Sequence, residues 1–178
     1  YSDAVYAFDV SDKSNPQVIT QWGGVPNSHA CWVSDDGNTL FTASETAYGH
    51  ILSWDVSNLN NVNFLDEWFP NDGEEWSVHN IFYKNGYIIA SHYAWGVQIV
   101  NVEDPLNMYT AGYYDTFNFS PAGLYDGAWG TFPYFNSDKI IVSDRTSGLY
   151  VVDFTIDNCG SLSDFYNNLE NYYKNIIP

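Results

Sequence analysis

Four hydrophobic runs in this chain end in the same way, and the spacing between them constrains the fold more than any other feature. Phe8-Asp9-Val10-Ser11, Trp54-Asp55-Val56-Ser57, Val100-Asn101-Val102-Glu103 and Val152-Asp153-Phe154 set Asp9, Asp55, Asn101 and Asp153 46, 46 and 52 residues apart. A period of that length marks a unit of four short strands that buries its faces only by stacking on a neighbour. The stretch from Val78 to Thr116 displays one complete unit. It reads as His79–Tyr83, a Lys84-Asn85-Gly86 turn, Tyr87–His92, Gly96–Val102 and, after an Asp104-Pro105 break, Tyr109–Asp115. Aromatic and β-branched residues alternating between Gly, Asn, Asp and Pro are what half-buried antiparallel strands require.

The same pattern organises the rest of the chain. Residues 1–22 supply the last two strands of a blade, Ala4–Val10 and Gln17–Trp22. Residues 29–68 supply a full blade whose first hairpin turns at Asp35-Asp36-Gly37-Asn38, an Asp-Gly signal that needs positive φ. Residues 79–117 make the next blade, and residues 127–154 a three-stranded one. The predicted class is all-β, with antiparallel four-stranded blades of a partial β-propeller; a two-sheet sandwich is the competing architecture. Over residues 157–178 the period changes. Phe165, Leu169, Tyr172 or Tyr173 and Ile176 share one helical face, and Ser161 is placed to cap it, so a short C-terminal helix is expected.

Thirteen strands make three and a quarter blades, whereas propellers close with about four to eight. The chain starts in mid-pattern at Tyr1, so it reads as a piece of a longer protein, with upstream blades or a partner chain sealing the open edge.

Charge excludes some partners. Twenty-two acidic residues against five basic ones give a formal charge of -17, which repels phosphate backbones and anionic bilayers. Nucleic acid is therefore not an expected partner, and no run approaches the roughly 18 apolar residues of a membrane span. The acidity suits solubility or cation binding. Together with few lysines and many Asn and Tyr, it points to an extracellular protein. Cys31 and Cys159 either pair in an oxidising compartment or leave Cys31 as a buried thiol in an inner strand.

Several segments, taken in order, resemble a known family. Gly96-Val97-Gln98-Ile99-Val100-Asn101-Val102-Glu103-Asp104-Pro105 and Phe8–Pro16 are similar to the LVIVD repeat, a hydrophobic strand with a D-V-S-D-P ending. Ser28–Gly37, Val78–Phe82, Gly127–Gly130, Ile141–Asp144 and Gly148–Val152 resemble the bacterial surface proteins named choice-of-anchor B. The resemblance covers about residues 4–154. It implies a secreted or cell-surface β-propeller with no established catalytic activity, often joined to a variable C-terminal anchor. Residues 157–178 match no such anchor, and the N-terminal blades are missing.

Candidate chemistry starts with His29 and His79, which fall 26 and 22 residues before Asp55 and Asn101 and so open the first strands of adjacent blades. Two imidazoles converging there suit a transition metal, or each hydrogen-bonds a neighbouring backbone. The third unit has Gly127 at that place. His50 and His92 are expected in solvent-facing or capping roles. The acidic loops Asp35-Asp36-Gly37-Asn38, Asn71-Asp72-Gly73-Glu74-Glu75 and Tyr125-Asp126-Gly127 offer hard oxygens of the type calcium uses, but turn chemistry alone also explains them. Tyr93, Trp95, Trp129 and Tyr134 are candidates for a ligand platform that stacks on sugars or another protein, with core packing as the alternative. No Gly-rich phosphate cradle, nucleophile elbow or CxxC pair occurs. The functional expectation is a non-catalytic surface module that binds a protein or glycan partner. Its rival is a metal-dependent propeller enzyme built on His29 and His79.

Overall fold

The structure is a computed structural model that describes residues 2–70, 77–117 and 123–154. These residues form strands and turns with no helix. The expected helix at 157–178 and Cys159 lie outside the described residues, as does the acidic loop 71–75.

Three antiparallel sheets follow one another along the chain. The first holds β1 (Ser2–Asp9), β2 (Gln17–Val33), β3 (Thr39–Ser44), β4 (Ile51–Asp55) and β5 (Asn63–Trp68) in sequence order. The second holds β6 (Asn80–Lys84), β7 (Tyr87–Ser91), β8 (Val97–Asn101) and β9 (Tyr109–Tyr114). The third holds β10 (Ala128–Phe132), β11 (Lys139–Asp144) and β12 (Gly148–Asp153). The described residues are thus all-β, a set of propeller blades.

One boundary differs from expectation. The hydrophobic pattern predicts Gln17–Trp22 and His29–Ser34 as separate strands, yet β2 runs 17 residues without interruption. Its first half pairs with β1, as at Val5↔Trp22, and its second half with β3, as at Cys31↔Thr42. Positive φ at Gly24 and Asn27 bends the strand between the two halves. One strand therefore serves two blades. Val5 of β1 and Trp22 of the first half of β2 pack on Leu52 and Trp54 of the next blade.

The recurrent Asp-x-Ser phrase has a local cause. Asp9 Oδ1 accepts from Ser11 N at 2.8 Å and Oγ at 2.6 Å, and Asp55 repeats this with Ser57 at 2.9 and 2.6 Å. Asn101 Oδ1 takes Glu103 N at 3.1 Å. Each closes an Asx turn as the chain leaves a blade's third strand. The hydrogen bonds from the two serines hold the Asp9 and Asp55 carboxyls below the usual range.

Stacking of blade on blade makes the core. Phe41, Ala43, Ile51 and Trp68 of the first full blade meet Ile81, Ile88, Ala90 and Val100 of the second. The other face of the second blade, with Ile89, Val97 and Ile99, meets Ala128, Ile140 and Val142. β8 is consequently buried along its whole length, its polar Gln98 and Asn101 included, while β9 and β12 are largely exposed. Polar ties cross the same seams. Trp68 Nε1 donates to Thr110 Oγ1 at 3.1 Å, Met108 N to Asp66 Oδ2 at 2.7 Å, and Lys84 Nζ to the Pro133 carbonyl at 2.7 Å.

Cys31 corrects another expectation: it is exposed, not buried, although its pairing partner Thr42 is fully buried. No helix among the described residues is long and apolar enough to cross a membrane.

Candidate functional site

Three side chains from two blades converge at one end of the first strands. His29 lies in the second half of β2, Glu45 directly follows β3, and His79 directly precedes β6. His29 Nδ1 stands 3.3 Å from Glu45 Oε2, and His79 Nε2 stands 3.8 Å from Glu45 Oε1. The two imidazole rings are 4.8 Å apart. Donor atoms of all three lie within 4.8 Å of one another, the only such group of His, Cys, Asp or Glu found among the described residues.

The convergence follows from strand pairing. Ser28 pairs with Ser44 and Ala30 with Ala43, so His29 is the extra residue of a register shift in β2, next to the end of β3 that Glu45 directly follows. Glu45 N is tied to the Asn27 carbonyl at 3.4 Å, which holds the carboxylate over that corner. Its side chain is only 8% exposed, against 25% for His29 and 11% for His79.

Tyr93 of the second blade and Trp129 and Arg145 of the third surround this trio. The Tyr93 hydroxyl donates to Glu45 Oε1, while the Trp129 ring lies 4.8 Å from that of His79. Together with Tyr125 and Arg145 they line a pocket of about 800 Å³. Burial, then the Glu45 carboxylate, drives the Tyr93 phenol far above its ordinary range, so it acts as a fixed donor. Burial lowers the His79 imidazole against the opposing pull of Glu45, which favours the neutral ring that metals bind.

Tyr93 reaches its place through an unusual backbone. Its φ is +42°, and its N–H and carbonyl exchange hydrogen bonds of 3.0 and 2.9 Å with Ala128 across the seam between blades. Gly127, at φ +104°, lies so close that a Cβ there would strike the Tyr93 carbonyl and the Ala94 nitrogen. That explains why the third unit offers no ligand where His29 and His79 stand in the others. The third side chain of the trio comes instead from the end of β3.

The donor set fits a divalent transition metal. Two imidazoles and one carboxylate at about 2.0–2.2 Å from an ion stand roughly 3.3–3.6 Å apart; the His29–Glu45 spacing already matches, and the 4.8 Å spread of the three donors closes to that range only if the side chains draw together on an ion. Three protein ligands leave a further position open to water or substrate.

The four aromatic candidates do not form one platform. Tyr93 and Trp129 belong to the pocket just described, although Tyr93 is 1% exposed and positions a ligand residue instead of offering a stacking surface. Tyr134 lies at the far end of β10, where its ring packs on Trp32 and Phe82, and its hydroxyl donates to the Tyr83 carbonyl at 2.6 Å. Burial pushes that phenol up to about 12. Trp95 is half-buried in a turn, its carbonyl accepting from Gln98 Nε2 at 2.6 Å.

His92 is not solvent-facing: it is 1% exposed, with both ring nitrogens lacking a hydrogen-bond partner. His50 is half-buried, pairs with Glu67 across the β4–β5 hairpin and stacks on Phe69 at 4.5 Å. The two hard-oxygen loops among the described residues serve as turns. The Asp36 carboxylate accepts from Ser34 Oγ at 2.6 Å and Asn38 N at 3.0 Å, and Asp126 Oδ2 from Gly123 N at 3.0 Å.

No family model matches the chain. No curated protein matches it either. Among solved structures it is similar to a candidate 6-phosphogluconolactonase from Bacteroides fragilis, at 9% identity and a TM-score of 0.68. The likeness covers 89% of this chain and 46% of that one, so the chain spans about half its neighbour's length. Two computationally designed proteins are more distant, with TM-scores of 0.46 and 0.43 at 15% and 13% identity; the matches cover 71% and 75% of this chain, and 33% and 94% of theirs. At such identities the first likeness shows the β-propeller fold alone.

Proposed function

We propose that this chain is a metal-binding propeller module whose pocket carries out metal-dependent chemistry on a small molecule. The observation that carries the reading is the convergence of His29, Glu45 and His79, drawn from three separate points of the chain onto one spot beside an open pocket. A bound ion would supply Lewis-acid activation of a water or of a substrate oxygen. The chain's own residues do the rest. Tyr93 fixes Glu45 through its hydroxyl, leaving the opposite oxygen for coordination. Trp129 covers one face of the His79 ring and limits its rotation. The resemblance to LVIVD-repeat surface proteins supports placing this chemistry outside a bacterial cell.

Chelator-treated protein titrated with zinc(II), cobalt(II) and copper(II) should bind about one equivalent, and the double variant His29→Ala, His79→Ala should lose that binding. Tyr93→Phe should weaken it by about 10–100-fold, the usual cost of removing an outer partner of a ligand. Binding of none of these ions by the unaltered protein would sink the reading.

A second reading rests on a different observation. Trp32, Phe132, Tyr134 and Phe135 are each 37–44% exposed and cluster at the opposite end of the first strands. That surface supports glycan or protein binding by a non-catalytic module. Oligosaccharide titration followed by Trp fluorescence tests it, and an unchanged spectrum with every sugar counts against it.

A further inference from the structure

We infer that the pocket beside His29, Glu45 and His79 takes an oxyanion, the carboxylate or phosphate end of a small-molecule ligand, on the guanidinium of Arg145. The inference rests on the metal-dependent reading for what is done to the ligand, and on Arg145 for where its charge is held.

Arg145 is the one cationic side chain of pure charge among the residues lining the pocket, in a chain of formal charge -17. The other described cations are placed elsewhere. Lys84 is spent on the Pro133 and Ser137 carbonyls, Lys139 pairs with Asp153, and Lys13 follows β1 in an exposed turn. Among the described residues, no carboxylate approaches the Arg145 guanidinium within 4.0 Å. Nη1 donates to the Tyr125 carbonyl at 2.5 Å, which fixes the plane of the group and leaves the rest of its five-donor fork for a ligand.

The turn that carries Arg145 is built to hold it still. Asp144, 7% exposed, accepts from Thr146 N and Ser147 N at 2.8 Å each and from Thr116 Oγ1 at 2.8 Å. Ser147 Oγ in turn donates to the Thr116 carbonyl at 2.6 Å, and Arg145 N to the Gly127 carbonyl at 2.9 Å. A guanidinium presented from a pinned turn loses little freedom on binding. Charge balance points the same way. A divalent ion on two neutral imidazoles and one carboxylate leaves one positive charge, and Arg145 adds a second, so an anionic ligand is the neutralising occupant.

The test is calorimetric titration of chelator-treated protein, and of protein given one equivalent of zinc(II), with inorganic phosphate and separately with acetate. The variants are Arg145→Met and Arg145→Lys, each first checked for unchanged thermal unfolding. At least one anion should bind the unaltered protein. It should bind about tenfold or more weakly to Arg145→Met and recover in part with Arg145→Lys, while zinc affinity stays the same. Phosphate binding alone assigns a phosphoryl group, and acetate binding alone a carboxylate. Equal anion affinity in Arg145→Met and the unaltered protein overturns the inference, as does failure of both anions to bind. Arg145-dependent anion binding in a protein that takes no metal would remove the metal-dependent reading and leave this one standing.

Discussion

Replacing Gly127 with alanine should destabilise the chain by about 3 kcal/mol or more, the cost of strained backbone combined with a displaced main chain. Two effects add at this position. A φ of +104° is one that side chains with a Cβ rarely adopt, and the new methyl would meet the Tyr93 carbonyl and the Ala94 nitrogen. Backbone cannot swing aside as a flexible side chain can. The control is Gly148, whose φ of +101° is nearly the same but which has nothing within 4 Å of the added Cβ. Gly148→Ala should therefore show the dihedral cost alone, about 1–3 kcal/mol. Urea unfolding of both variants measures the difference, and equal loss in the two would mean that the close approach to Tyr93 carries no energy. Because the same contact sets the Tyr93–Ala128 bridge, Gly127→Ala should also weaken metal binding, whereas Gly148→Ala should leave it nearly intact.

Acidification should destabilise the fold between pH 6.5 and about 4 through His92. Full burial lowers its imidazole from 6.5 to about 4, with His50 adding a small push in the same direction. Trp68 stands edge-on to the ring at 6.2 Å and offers it no acceptor. In that window the unfolded chain takes up a proton that the folded chain does not, so stability is fully present above pH 6.5 and lost as pH falls. The loss levels off below about 4, at roughly 3 kcal/mol, because each tenfold drop in the proton affinity of the folded state costs about 1.4 kcal/mol. His79, lowered by burial, contributes in the same direction. Urea midpoints measured from pH 7.5 to 4 should fall for the unaltered protein and fall less steeply for His92→Leu, which removes the ionisable group and its two unpartnered nitrogens. Parallel curves for the two proteins would show that the buried ring does not govern acid stability.

Part of the site was legible in the sequence because it follows the spacing of the strands. Spacing alone places His29 and His79 at equivalent points of adjacent blades, and adjacent first strands bring equivalent points together. Glu45 carries no such mark. It stands after the second strand of one blade, and its role depends on Ser28 pairing with Ser44, a register that the hydrophobic pattern sets only to within a strand's face. Its nearest histidine in sequence is His50, yet His50 pairs with Glu67 instead. Arg145 was hidden for another reason. A lone arginine in a Ser-Asp-Arg-Thr-Ser-Gly turn looks like solvent-facing punctuation until the third blade docks on the second.

Exposure was the least legible property. Sequence pattern puts Cys31 inside and His92 outside, and both lie on the other side of the surface, because burial in stacked blades depends on which face a neighbour covers. The sequence by itself determined most of the strands, the Asx turns that end them, their spacing and the pairing of two histidines, since each rests on interactions within a few residues or on a regular spacing; that β2 runs on from one blade into the next it did not show. Only the tertiary structure decided that Glu45 completes the trio, that Tyr93 holds it and that Gly127 must stay bare. Those outcomes depend on contacts between blades, where a shift of one residue in register or one turn in a loop brings different atoms together.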